Sequence, residues 1–254
     1  MKIIKSLLQK LYILWVAFVF TFFMILFLPG LTLPFFFGLG SVGYFFLWIW
    51  SWIFSKLTFI RYRFYGREKI DRTKAYIYVS NHTSFLDLPG IRMIIPGQFR
   101  PLAKKELLKI PIFGWIAGSA TVIVDRSSSQ SRRRSLDKLK QVLKDGISIL
   151  IFAEGTQNRT RELLQPFKDG AFRLAVDTQE TLMPLVVVGA GPLMPPGTIR
   201  LRPGLIRIFV GEPVSAEGLS VEDVPALKTQ IYDQMQDILV RHTNSREQLP
   251  HTGT

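Results

Sequence analysis

In the segment SNHTSFLD, residues 80–87, a histidine stands five residues ahead of an aspartate, His82 and Asp87. An imidazole with an ordinary pKa of ~6.5 can take a proton from an alcohol at neutral pH. A carboxylate on its far ring nitrogen would fix the tautomer and steady the imidazolium that forms. That is the base and orienter pair of general base catalysis. The chain has no G-x-S-x-G elbow to supply a serine nucleophile, so the attacking hydroxyl would belong to a substrate. The same residues also have a structural reading. Asp87 or Ser84 can cap the helix that follows, with Pro89 in its first turn, and His82 can be a hydrogen-bonded turn residue.

What positions this pair depends on the kind of chain that carries it. At 254 residues and 48% apolar content, the sequence is long enough for one large or two small domains with a substantial core. The absence of cysteine excludes disulfides, thiolate nucleophiles and Cys-ligated zinc, and three histidines leave little for another transition-metal site, so no metal is expected. A net charge of +13 should seek phosphate, whether on nucleic acid, nucleotide cofactors or anionic lipid.

The N-terminal region favours lipid. Residues 11–55 contain no charged side chain and form two apolar blocks, 11–28 and 35–54, separated by PGLTLP. Each block approaches the ~20 residues that cross a bilayer as a helix, and Pro29, Gly30 and Pro34 would make the turn between them. A two-helix membrane hairpin over residues 1–58 is therefore expected, with Trp48, Trp50 and Trp52 in an interfacial belt. A cleaved signal peptide would have a shorter apolar run and a small-residue cleavage site. Lys2, Lys5 and Lys10 precede the hairpin and Lys56, Arg61, Arg63 and Arg67 follow it, which places both ends in the cytoplasm. Gly38, Gly40 and Gly43 spell the dinucleotide-binding G-x-G-x-x-G, but within this apolar stretch they are read as glycines that pack or loosen helices.

Beyond residue 58 the pattern becomes short apolar runs alternating with amphipathic ones. Strands are expected at 59–65, 75–80, 98–103, 119–124, 148–152, 182–189 and 205–210. Helical spacing appears at 88–95, 106–117, 131–144, 169–178 and 221–243. This is the grammar of an α/β fold, here one domain over 59–245 with about seven strands in a mixed sheet flanked by helices, followed by a polar tail at 246–254. Reactive groups in such sheets gather in the turns leading from strands into helices. Residues 80–87 and 153–160 occupy two such turns.

NHTSFLD resembles the N-H-x-x-x-x-D signature of the glycerolipid acyltransferases, the 1-acylglycerol-3-phosphate acyltransferase family. GSATVIVDR at 118–126, FAEGTQNRT at 152–160 and LMPLVVVG at 182–189 follow in the family's order, so the resemblance runs from about residue 60 to 212. It implies a membrane enzyme that moves a fatty acyl group from acyl-CoA or acyl carrier protein to the sn-2 hydroxyl of lysophosphatidate. No cofactor beyond that thioester is implied. His82 would be the base and Asp87 its partner, with Asn81, from the same motif, among the substrate-binding positions.

The other blocks have physical roles that can be stated. Glu154, Gly155 and Thr156 follow a strand, where glycine allows close backbone approach and a hydroxyl and exposed amides can meet a phosphate or glycerol oxygen. The family usually has Pro before Glu and Arg after Thr; here these are Ala153 and Gln157. Arg159 or Arg161 would then supply the missing cation. The resemblance makes Arg126 a second phosphate contact, and a local ion pair with Asp125 is its structural alternative. Lys104 and Lys105 would serve either the substrates or an anionic membrane surface, and Pro184 would stiffen the wall of the acyl site. Arg132, Arg133 and Arg134 are either a solvated helix face or a stripe for anionic lipid or an acidic carrier protein. Two other readings stand beside this one: an acyltransferase for a different lysolipid, and an inert membrane-anchored lipid-binding protein. The apolar hairpin argues against nucleic acid as a partner.

Overall fold

The N-terminal region, charge-free from 11 to 55, forms two helices, α1 (Lys2–Phe36) and α2 (Gly40–Leu57). The computed structural model describes residues 2–110, 113–124 and 129–243. The chain reverses after Phe36 and not at PGLTLP as expected, because Pro29 and Pro34 both lie inside α1. Helices among apolar neighbours tolerate proline where neighbouring groups compensate the lost donors. Gly30 leaves room for the Phe46 ring, which a Cβ would meet at 2.8 Å, so α2 packs closely against the proline-bearing part of α1. The reversal falls at Gly38, whose φ of 72° only glycine adopts without strain. Gly43 packs against Phe35, so the G-x-G-x-x-G glycines turn and pack helices.

The hairpin is not a separate body. Tyr44, Trp50 and Phe54 of α2 are buried in one apolar cluster with Ile91, Ile94, Phe99, Ile206 and Ile208. The packing thus runs straight across residue 58. The Tyr44 hydroxyl donates to the Ala120 carbonyl at 2.7 Å. Arg92, itself buried, donates to the carbonyls of Tyr44 at 3.0 Å and Ile95 at 2.9 Å. Trp50 also departs from the expected belt. It is enclosed between the helices, edge-on to Phe20 and stacked on Phe54, while Trp48 and Trp52 remain exposed.

The seven expected strands are present: β1 (Ile60–Tyr65), β2 (Ile77–Ser80), β3 (Phe99–Lys104), β4 (Val122–Val124), β5 (Ser148–Phe152), β6 (Leu182–Val188) and β7 (Gly204–Val210). They form one mixed sheet in the order β1-β7-β6-β2-β5-β3-β4, parallel at every pairing except β6 with β7. β2 and β6 are buried along their whole length, as central strands covered on both faces should be. The connecting helices are α3 (Asp87–Ile94), α4 (Phe113–Ala120), α5 (Ser129–Lys144), α6 (Gly170–Thr178), the short α7 (Ala190–Leu193) and α8 (Val224–Thr243). The hairpin and α3 cover one face of the sheet, and α5, α6 and α8 cover the other. The helix expected at 106–117 is divided into a 3-10 turn, Lys105–Lys109, and α4. Pro111 in the sequence explains the division, since a proline lacks the donor a continuing helix needs.

Pro184 is placed inside β6, opposite Val79 of β2, and its carbonyl accepts from Gly211 N at 2.9 Å. Pairing of β6 with β7 begins only at Leu185, so the missing N–H falls just outside that ladder.

Candidate active site

β2 and β5 run side by side with Ser80 opposite Phe152, and their C-terminal ends release the two turns singled out in the sequence. Asp87 opens α3 and is fully buried. Its carboxylate turns back over the chain rather than capping the helix. One oxygen, Oδ2, accepts from the backbone N–H of Thr83 at 2.8 Å and of Ser84 at 2.9 Å, and lies 2.8 Å from His82 Nδ1. Oδ2 already accepts from two amides, so the short contact to the ring is a hydrogen bond when Nδ1 is the donor. Nε2 is left with its lone pair. It makes no hydrogen bond among the described residues, and the His82 side chain keeps 15% of its surface exposed.

The second turn holds the first by its main chain. Glu154 Oε1 accepts from His82 N at 3.0 Å, and the His82 carbonyl accepts from Asn158 N at 2.6 Å. The other Glu154 oxygen accepts from Gln165 N at 2.9 Å. Gly155 makes the bend this requires, with φ 77°. Asn158, also buried, receives bonds from Thr160 N, the Thr160 hydroxyl and Gln165 Nε2, which closes the loop on itself. Burial raises the Glu154 carboxyl above its ordinary value, against the opposing pull of the two N–H groups and His82.

The sequence assigned Glu154 and Asn81 to substrate, and the structure gives both a different task. Both Glu154 oxygens are taken by backbone amides, and the side chain is 2% exposed. Asn81 is fully buried, donates to the Val187 carbonyl at 2.9 Å and accepts from Val187 N at 2.8 Å. It ties β2 to β6 below the site. Glu154→Gln is expected to lower stability by about 1–3 kcal/mol, since one buried backbone donor would face an amide NH₂. Initial rates should fall with it because His82 N is that donor's neighbour in the clamp. Thermal unfolding and turnover of the variant check both, and unchanged turnover would mean that the base holds its place without the clamp.

Thr156 and Arg159 are exposed on the loop's outer side. The Arg159 guanidinium reaches Gly197, where an added Cβ would stand 3.5 Å from Nη2, and Gly191 similarly approaches Thr83. The segment following β6 therefore forms part of the rim, which no motif announced. Gln157, at the place of the family's arginine, has its Nε2 buried with no hydrogen-bond partner. Lys105 begins the exposed 3-10 turn after β3, at the same sheet edge as His82 but two strands from β2. That is roughly 10 Å at the usual strand spacing. Arg126 lies outside the described residues. Phe152, absent from the expected site, stacks on the His82 imidazole with ring centroids 4.0 Å apart.

A family model described as Acyltransferase matches residues 61–188. The 1-acyl-sn-glycerol-3-phosphate acyltransferase alpha of Homo sapiens is 34% identical over 180 residues, covering 69% of this chain and 62% of that protein. The 1-acyl-sn-glycerol-3-phosphate acyltransferase of Saccharomyces cerevisiae is 34% identical over 177 residues, covering 68% and 58%. This chain thus spans about three-fifths of the length of these relatives. The crystal structure of the 1-acyl-sn-glycerophosphate (LPA) acyltransferase PlsC from Thermotoga maritima is alike in fold, with a TM-score of 0.80 over 97% of this chain and 99% of that one at 22% identity. By the family model and these identities, the chain belongs to the acyltransferase family.

Proposed function

We propose that this protein transfers a fatty acyl group from an acyl thioester to the sn-2 hydroxyl of 1-acylglycerol-3-phosphate, making phosphatidate. The observation that carries the reading is the His82 Nδ1 to Asp87 Oδ2 contact of 2.8 Å, with the opposite ring edge making no hydrogen bond among the described residues. His82 Nε2 takes the hydroxyl proton as the oxygen attacks the thioester carbonyl carbon. The resulting tetrahedral oxyanion collapses, the C–S bond breaks, and the thiolate takes the proton back from the imidazolium. Acyl-CoA and acyl carrier protein both supply that thioester. The reading needs no covalent acyl-enzyme and routes no step through a metal.

The reading also sets the protein at the cell membrane with its α/β domain on the cytoplasmic side. α1 is long and apolar enough to cross a bilayer, with a mean hydropathy of 2.6 in an 18-residue stretch of Ile4–Phe36. Leu14, Phe18, Phe22 and Ile25 on its surface are exposed, and the flanking lysines and arginines support that sidedness. Anionic lipid would add attraction through the basic surface. Purified protein supplied with lysophosphatidate and each donor type tests the function. Phosphatidate formation is expected, and binding without transfer at any substrate concentration would favour the inert lipid-binding reading instead.

A second reading keeps the chemistry and changes the acceptor. It is favoured by Gln157, whose unpartnered amide stands where the family carries a cation. A panel of lysolipids separates the two. If lysophosphatidate is the acceptor and Arg159 holds its phosphate, Arg159→Ala should raise the KM for lysophosphatidate by about tenfold or more and leave the donor KM nearly unchanged. Gln157→Arg in that background should recover part of the loss. Equal damage to both substrates would indicate loop collapse, and unchanged acceptor kinetics would move the phosphate contact to Lys105 or Arg126.

A further inference from the structure

The His82 imidazole meets Asp87 along one edge and an aromatic surface on one face. Phe152 ends β5, and its ring lies 4.0 Å from the imidazole, centroid to centroid, with the planes inclined by 17°. The backbone under both rings is pinned. Ser80 stands opposite Phe152 in the β2 and β5 register, Ala153 N donates to the Ser80 carbonyl at 3.2 Å, and Gly155 N donates to the Phe152 carbonyl at 2.9 Å. The phenyl ring is itself packed against the apolar cluster beneath the hairpin. Glu154, the other nearby carboxylate, is engaged on the His82 main chain and not on its ring.

An aromatic face carries partial negative charge and attracts a cation lying within about 6 Å of its centroid, most strongly where water is excluded. In the proposed reaction His82 is neutral before transfer and becomes an imidazolium in the transition state. The attraction to Phe152 therefore strengthens during the reaction, and an interaction that does so lowers the barrier without tightening the ground state. The fixed ring also limits rotation of the imidazole, so that Nδ1 stays on Asp87 and Nε2 stays available to the substrate hydroxyl. We infer that Phe152 is a positioning residue for acyl transfer, one that holds the plane of the catalytic base and stabilises its charged form. The inference rests on the general-base reading of His82.

The test compares Phe152→Leu and Phe152→Met, which keep apolar bulk but lose the aromatic face, with Phe152→Tyr, which keeps it. His82→Ala serves as the reference, all in the full-length protein in vesicles with lysophosphatidate and an acyl thioester. Leu and Met should each lower kcat on the order of tenfold with both KM values within about twofold, and Tyr should stay within about twofold of the unaltered protein. If Phe152→Leu does not fold, Met and Tyr make the same comparison. Unchanged kcat in the faceless variants, a loss confined to KM, or a Tyr variant as impaired as Leu would overturn the inference. Turnover that survives His82→Ala would remove the general-base reading itself, which separates failure of the function from failure of the stacking role.

Discussion

His82→Ala is expected to lower kcat by about 10² to 10⁴, or roughly 3–5 kcal/mol of barrier, while the protein remains folded in membranes. The imidazole is partly exposed, and its main-chain bonds to Glu154 and Asn158 do not depend on the side chain, so alanine should remove the base and spare the turn. Asp87→Asn should be severely impaired as well. An amide cannot stabilise the imidazolium as a carboxylate does, and an amide NH₂ placed at Oδ2 would face the N–H groups of Thr83 and Ser84. Initial rates and thermal unfolding, measured together, distinguish catalytic loss from loss of fold. Turnover like that of the unaltered protein in His82→Ala would end the general-base assignment.

The second large effect concerns the hairpin. A chain shortened to begin at Lys56 is expected to lose cooperative unfolding, and not simply its hold on the membrane. It would lack Tyr44, Trp50 and Phe54, each a large side chain whose burial contributes about 1.5–3 kcal/mol, in a fold whose net stability is typically ~5–15 kcal/mol. Arg92 would also lose its acceptor on Tyr44, leaving a buried cation with less to bond. Calorimetry of the shortened chain in mild detergent checks this. A sharp transition with retained turnover would show that the α/β domain stands alone, and salt-dependent release from vesicles would then report its basic surface.

The parts legible in the sequence are those whose partners lie close along the chain. His82 and Asp87 are five residues apart and in one turn, and each strand announces itself by a short apolar run between breakers. The clamps are different. Asn81 meets Val187 across 106 residues and Glu154 meets His82 across 72, and only the strand order β6-β2-β5 brings them together. Nothing local in Asn81 or Glu154 separates a side chain aimed at substrate from one aimed at a neighbouring backbone. Phe152 was hidden for a related reason, since an aromatic residue ending a strand looks like core. The two helices of the hairpin were legible, but the packing of α2 on the sheet was not, because α2 is apolar on nearly every side. Such a helix shows no stripe to tell lipid-facing positions from those that cover α3 and the sheet. Prolines 29 and 34 then suggested a turn that the actual helix contacts do not require.

The two bonds to the His82 main chain come from Glu154 and Asn158, and Asn158 goes on to close the loop through Thr160 and Gln165. His82 is thus fastened by four residues of fixed spacing, while Arg159 and Arg161 are exposed beyond the fastening. An insertion between 154 and 158 would break the spacing and the base with it. Substitutions at the outward positions would leave it untouched. Under the proposed function the loop can therefore change what it greets from outside without disturbing His82, and divergence in acceptor preference has a place to occur at little risk to the chemistry.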